Sequence, residues 1–148
     1  MDTSRQVVHF CRVSLAACAL VLLASMQTQA ASPPGQAIVP MLEQRLGLSE
    51  AQVRGGLGAL LVYVRERLTK PDFDDLAATI PNADRIMQDV KLRGIVTRPL
   101  DDIDDFEAAL SNLGIGQPLA SQFAPAVLQS LTETGHVRER DLLARVIS

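Results

Sequence analysis

Tryptophan is absent from the 148 residues, tyrosine occurs once, and both cysteines, Cys11 and Cys18, stand near the start of the chain. Beyond Cys18 there is therefore no thiolate nucleophile, no disulfide and no cysteine ligand for zinc. Histidine is almost as scarce: only His9 and His136 occur. A single downstream histidine assembles neither a typical zinc site nor a Cys–His pair. No G-x-S-x-G elbow is present, and no basic tract or aromatic run marks a nucleic-acid surface. Extended structure has little support too, since Ile95-Val96-Thr97 is a lone strand-like run with no visible partner.

What is present begins with a leader. Arg5 and Arg12 precede an apolar run from Val13 to Ala24, broken only by Ser14, and Thr28-Gln29-Ala30 supplies small residues for cleavage. This predicts a secretory signal peptide over 1–30, cut after Ala30, and export to the periplasm. The run is shorter than the roughly 20 residues that span a bilayer, so no stable membrane span is expected once the leader is removed. Retention as an anchor is the weaker reading. Leu15-Ala16-Ala17-Cys18 resembles a lipoprotein box, but the apolar run continues past Cys18 instead of closing on it. Removing Asp2, Arg5 and Arg12 with the leader leaves 12 basic against 16 acidic residues, a net charge of −4. The remaining 118 residues suffice for one domain with one core.

Helical spacing dominates those residues. After a linker over 31–39, a helix is expected from about Pro40 to Leu46, stopped by Gly47. Ser49 and Gln52 have the spacing of a capping box. Val53, Leu57, Leu60, Leu61, Val64 and Leu68 then form one apolar stripe. Beside it run Ala51, Gly55, Gly58 and Val62, mostly small. Glycine costs a helix interior about 1 kcal/mol relative to alanine, so Gly55, Gly56 and Gly58 imply close approach of a neighbouring helix along this side. Thr69 and Pro71 open a short helix with Phe73, Leu76, Ala77 and Ile80, and Pro81 ends it. Asn82 caps another, with Ala83, Ile86, Met87 and Val90 apolar. Lys91 to Pro99 reads as a linker.

A second half opens at Asp101 or Asp102 and carries Ile103, Phe106, Leu110 and Leu113 to Gly114. Pro118 starts a helix with Leu119, Phe123, Val127 and Leu131, which Pro125 should break or kink near Phe123. Gly135 stops it, and a last helix from about Arg138 turns Leu142, Leu143, Val146 and Ile147 inward. Leu46-Gly47-Leu48 and Leu113-Gly114-Ile115 correspond at an offset of 67. The expected fold is all-α: a compact bundle of five to seven short helices over 40–148. Two similar helix-turn-helix halves, about 40–90 and 100–148, are expected within it.

No group of residues composes a catalytic, cofactor or metal site. Asp101, Asp102, Asp104 and Asp105, and likewise Asp72, Asp74 and Asp75, lack the glycine and alternating ligands of a calcium loop. Carboxylates in a first helical turn complement the helix dipole instead. Gly55-Gly56-Leu57-Gly58 lies inside a helical stripe, without the preceding strand or the lysine of a phosphate loop. His136 is expected at a helix C-terminus or in a loop. Ser111, Ser121 and Ser130 read as surface or capping residues, Glu66 with Arg65 and Arg67 as a solvated face, and Tyr63 as a rim contact.

LGLSEAQVRGGLGALL at 46–61, DFDDLAATIPNAD at 72–84 and LGIGQPLASQFAPAVLQSLTETG at 113–135 resemble the VcgC/VcgE family of exported bacterial domains of unknown function. The likeness covers most of 43–147 and rests on glycines, prolines and apolar spacing. It implies an exported helical domain and transfers no functional residues. Lys91 to Pro99 departs from the glycine-rich segment that often joins the halves in the family. The functional expectation is a non-enzymatic interaction or structural component of the cell envelope. Its partner would be an envelope protein or a second copy. The alternative is a periplasmic carrier of a lipid or other apolar molecule, held between helices loosened by glycine and proline.

Overall fold

A computed structural model describes residues 38–148. The leader, its Ala30 junction, Cys18 and residues 31–37 of the linker lie outside them. Among the described residues there are seven α-helices and no strand: α1 (Ile38–Leu46), α2 (Glu50–Arg65), α3 (Lys70–Ala78), α4 (Ala83–Leu92), α5 (Ile103–Asn112), α6 (Gln117–Glu133) and α7 (Val137–Ile147). None is long and apolar enough to cross a membrane. The first helix starts at Ile38, within the expected linker, with Pro40 in its first turn.

The second helix is the centre of the bundle. Every residue from Gly55 to Val64 is buried, the pattern of a helix enclosed on all sides instead of one lying on a surface. Its start is set locally. The Ser49 hydroxyl accepts from the Gln52 N–H, and the Gln52 side chain accepts from the Ser49 N–H at 3.1 Å, completing the capping box. The Gln52 amide also donates to the Leu113 carbonyl at 3.2 Å, so the cap of α2 is tied to the end of α5. Ser49→Ala should therefore lower unfolding free energy by about 1 kcal/mol. A urea midpoint equal to that of the parent protein would show the box to be ornamental.

A shift of 67 residues relates two three-helix units. It carries Glu50 onto Gln117 and Lys70 onto Val137, the first residues of α2 and α6 and of α3 and α7. Gly47 and Gly114 fall on each other, both left-handed at φ +65° and +74°. Each ends a helix where a side chain would be strained. Leu48 and Ile115 follow, both buried. The packing obeys the same shift: α1 lies on α6, α5 lies on α2, and α3 lies on α7. Only α4 has no counterpart, and it packs on α2.

Pro125, Tyr63 and Ser130 depart from expectation. Pro125 does not break α6, which runs unbroken through it. Pro125 is exposed, so the Ser121 carbonyl it leaves without an amide donor faces solvent. Tyr63 is no rim residue: it is 5% exposed and packs against Phe106, ring centroids 6.0 Å apart, with Phe123 next at 6.3 Å. Ser130 is fully buried. Its hydroxyl donates to the Ala126 carbonyl at 2.9 Å and accepts from Arg45 at 3.1 Å. The same guanidinium grips Glu133 at 2.8 and 3.0 Å, fastening α1 to α6.

The connector after α4 is packed instead of free. Ile95, Val96 and Leu100 are buried, and the N–H groups of Ile95 and Val96 both donate to the Val90 carbonyl. Arg67 stacks on the Tyr63 ring, 3.8 Å from its centroid, and donates to the Asp101 carbonyl. That pins the far end of the connector to α2.

Candidate functional site

The glycines of α2 meet three different neighbours. A Cβ built on Gly58 would fall 2.9 Å from the Ile86 carbonyl oxygen and 2.7 Å from Val90 Cγ1, so α2 and α4 touch there at backbone distance. On Gly56 it would fall 2.4 Å from the Phe123 ring of α6. On Gly55 its nearest neighbours would be atoms of the Leu113 side chain, with Cδ2 at 2.6 Å. The expectation of one neighbour running along Gly55 and Gly58 is thus corrected. Gly58 belongs to α4, whereas Gly55 belongs to the end of α5. Gly56 faces the residue that corresponds to it under the 67-residue shift, a small position meeting a large one.

Because contact between α2 and α4 is made at Gly58, the two helices leave a groove toward the start of α2. Its volume is about 590 Å³, and it is open to solvent along one side. Ala51 and Gly55 form its α2 side, and Ile86, Val90 and Ile95 supply its apolar wall. Charged groups stand along it: Glu50 and Arg54 on α2, Arg85 and Asp89 on α4, and Arg93 at the end of α4. Arg54 is paired with Glu50 at 2.7 Å. Arg85 and Arg93 make no ion pair among the described residues. A second hollow of about 420 Å³ adjoins it, sharing Glu50, Arg54, Asn82 and Ile86 and reaching Val39 and Pro40 of α1.

The other residues singled out from sequence do structural work. Asp102 caps α5 by accepting from the Asp105 N–H at 2.8 Å. Asp105 accepts from the Asp101 N–H and pairs with Arg98. Thr69 caps α3, Asp74 pairs with Lys70, and Arg138 of α7 reaches Asp75 at 3.0 Å and Asp72 at 3.6 Å. No group of histidine, cysteine, aspartate and glutamate among the described residues has the arrangement to hold a metal ion. His136 follows Gly135 at the C-terminal end of α6, where its N–H donates to the Leu131 carbonyl at 2.8 Å, and it stands just before α7: its Nδ1 lies 3.9 Å from Glu139, and its buried Nε2 has no hydrogen-bond partner among the described residues. Asn82, expected to cap α4, instead precedes it in a left-handed conformation, φ +57°, and makes no side-chain cap bond.

Arg85, Asp89 and Arg93 stand at a spacing of four that is visible along the chain, but that spacing acquires meaning only from the place of α4 beside the small residues of α2. The groove presents an apolar wall, guanidinium and carboxylate groups, and the Ser49 hydroxyl on its rim is engaged in the cap of α2.

No curated protein and no solved structure matches the chain. A family model, described as protein of unknown function VcgC/VcgE (DUF2780), matches residues 17–146. That span takes in all seven helices but the last residue of α7, and the chain belongs to the VcgC/VcgE family.

Proposed function

We propose that the protein is a non-enzymatic interaction component of the bacterial cell envelope that engages another protein, or a second copy of itself, through the groove between α2 and α4. The groove carries this reading, because it combines an apolar wall with charged groups held on two rigid helices, the elements of a specific protein contact. The leader pattern over 1–30 supports export, with the working location being the periplasm. The absence of a catalytic constellation in the sequence is consistent with a role in binding.

The test is direct. Chemical crosslinking followed by pulldown from envelope extracts should recover a reproducible partner, or light scattering coupled to chromatography should show self-association. A monomer that recovers nothing defeats the proposal. Native mass spectrometry of protein from its own host covers the carrier alternative, since a retained lipid or other hydrophobe would replace the interaction reading with that one.

A further inference from the structure

The two three-helix units diverge most where α4 is added, and the groove lies only on that side. On α6, the positions corresponding to Ala51, Gly55 and Gly58 are Pro118, Gln122 and Pro125, all exposed with no helix upon them. We infer that the groove receives an amphipathic helix of a different protein, one that presents two carboxylates about two turns apart on either side of an apolar residue. This rests on the interaction reading above and adds the place and the chemistry.

Charge carries the argument. Arg85, Asp89 and Arg93 follow one another at steps of four, so the two arginines stand about 12 Å apart along α4. Neither has an ion-pair partner among the described residues, while Arg54 opposite is already held by Glu50. Arg85 and Arg93, without ion-pair partners among the described residues, leave the groove with three arginines against Glu50 and Asp89, a local excess of positive charge on a mature chain of net charge −4. A guanidinium presents a planar fork that matches a carboxylate, and complementary potential fixes register and excludes basic segments. Asp89 between them repels a third carboxylate. The adjoining Ile86 and Val90 favour an apolar side chain at that level. The partner pattern is therefore acidic, apolar, acidic.

The full-length protein in its own bacterium is the proper test object. A photocrosslinking amino acid is placed at Ala51, exposed in the groove, and separately at Gln122, exposed on α6. Mass spectrometry of the Ala51 adduct should identify a segment of another protein bearing two carboxylates within two turns. Arg85→Glu with Arg93→Glu should cut that adduct about tenfold or more and leave the melting temperature unchanged. The inference is overturned if the Ala51 adduct survives the double reversal, or maps to a basic segment, a phospholipid or a second copy. Adducts from Gln122 with none from Ala51 sink the groove while sparing the interaction reading. Silence from both positions removes the two together.

Discussion

Gly58→Leu is expected to be severely damaging, lowering stability by about 3 kcal/mol or more. A methyl at this position already falls within 2.9 Å of the Ile86 carbonyl oxygen. That atom is backbone in the middle of α4, so relief requires the whole helix to move. An isobutyl group adds volume that the closed contact cannot take. Leucine would repay about 0.8 kcal/mol of helix propensity, far too little to offset separation of α2 from α4. Thermal unfolding by circular dichroism reads the loss, at roughly 4 °C per kcal/mol for a domain of this size. An unchanged melting temperature would mean that α4 is not seated on Gly58.

Gly56→Ala tests the junction of the two units. Its methyl would overlap the Phe123 ring, which is fully buried and edge-on to Phe106. A ring packed on all sides cannot swing away, so overpacking of about 1–3 kcal/mol outweighs the propensity gain of about 1 kcal/mol. The net result is a loss. In a Phe123→Leu background the overlap is relieved, and the same Gly56→Ala change should become neutral or stabilising. A double-mutant cycle measured by urea denaturation would then give a coupling energy well above the ~0.5 kcal/mol of independent sites. Additive effects would contradict a direct meeting of the two positions.

How far the chain announced its own fold follows from where the determining forces act. Caps and stops are local, and so Ser49 with Gln52, Thr69, Asp102, Gly47 and Gly114 all hold the roles their neighbours in sequence implied. The family and the all-helical class were equally legible, the first from glycine and proline placement and the second from apolar spacing. Partner choice is not local. Three glycines within four residues point around a helix whose every side is covered, and periodicity alone cannot say which neighbour each one meets. A polar atom points Tyr63 and Ser130 toward the surface in the chain alone, but the Ser130 hydroxyl is buried by bonding to the Ala126 carbonyl, and the Tyr63 ring is buried by packing on Phe106. Pro125 does not interrupt α6 because it lies on the exposed side of the helix, a direction that the chain alone does not give. The groove lay out of reach because it is made by the relation of α2 to α4.

Measuring the melting temperatures of Gly55→Ala and Gly58→Ala side by side goes to the heart of the matter. Leu113 is half-buried and can shift the end of its side chain, so alanine at 55 should be neutral or raise stability. The Ile86 carbonyl cannot shift, so alanine at 58 should lower the melting temperature by several degrees. Should both variants melt higher than the parent, these glycines are mere helix defects, and the close seating of α4 on α2, with the groove beside it, is wrong.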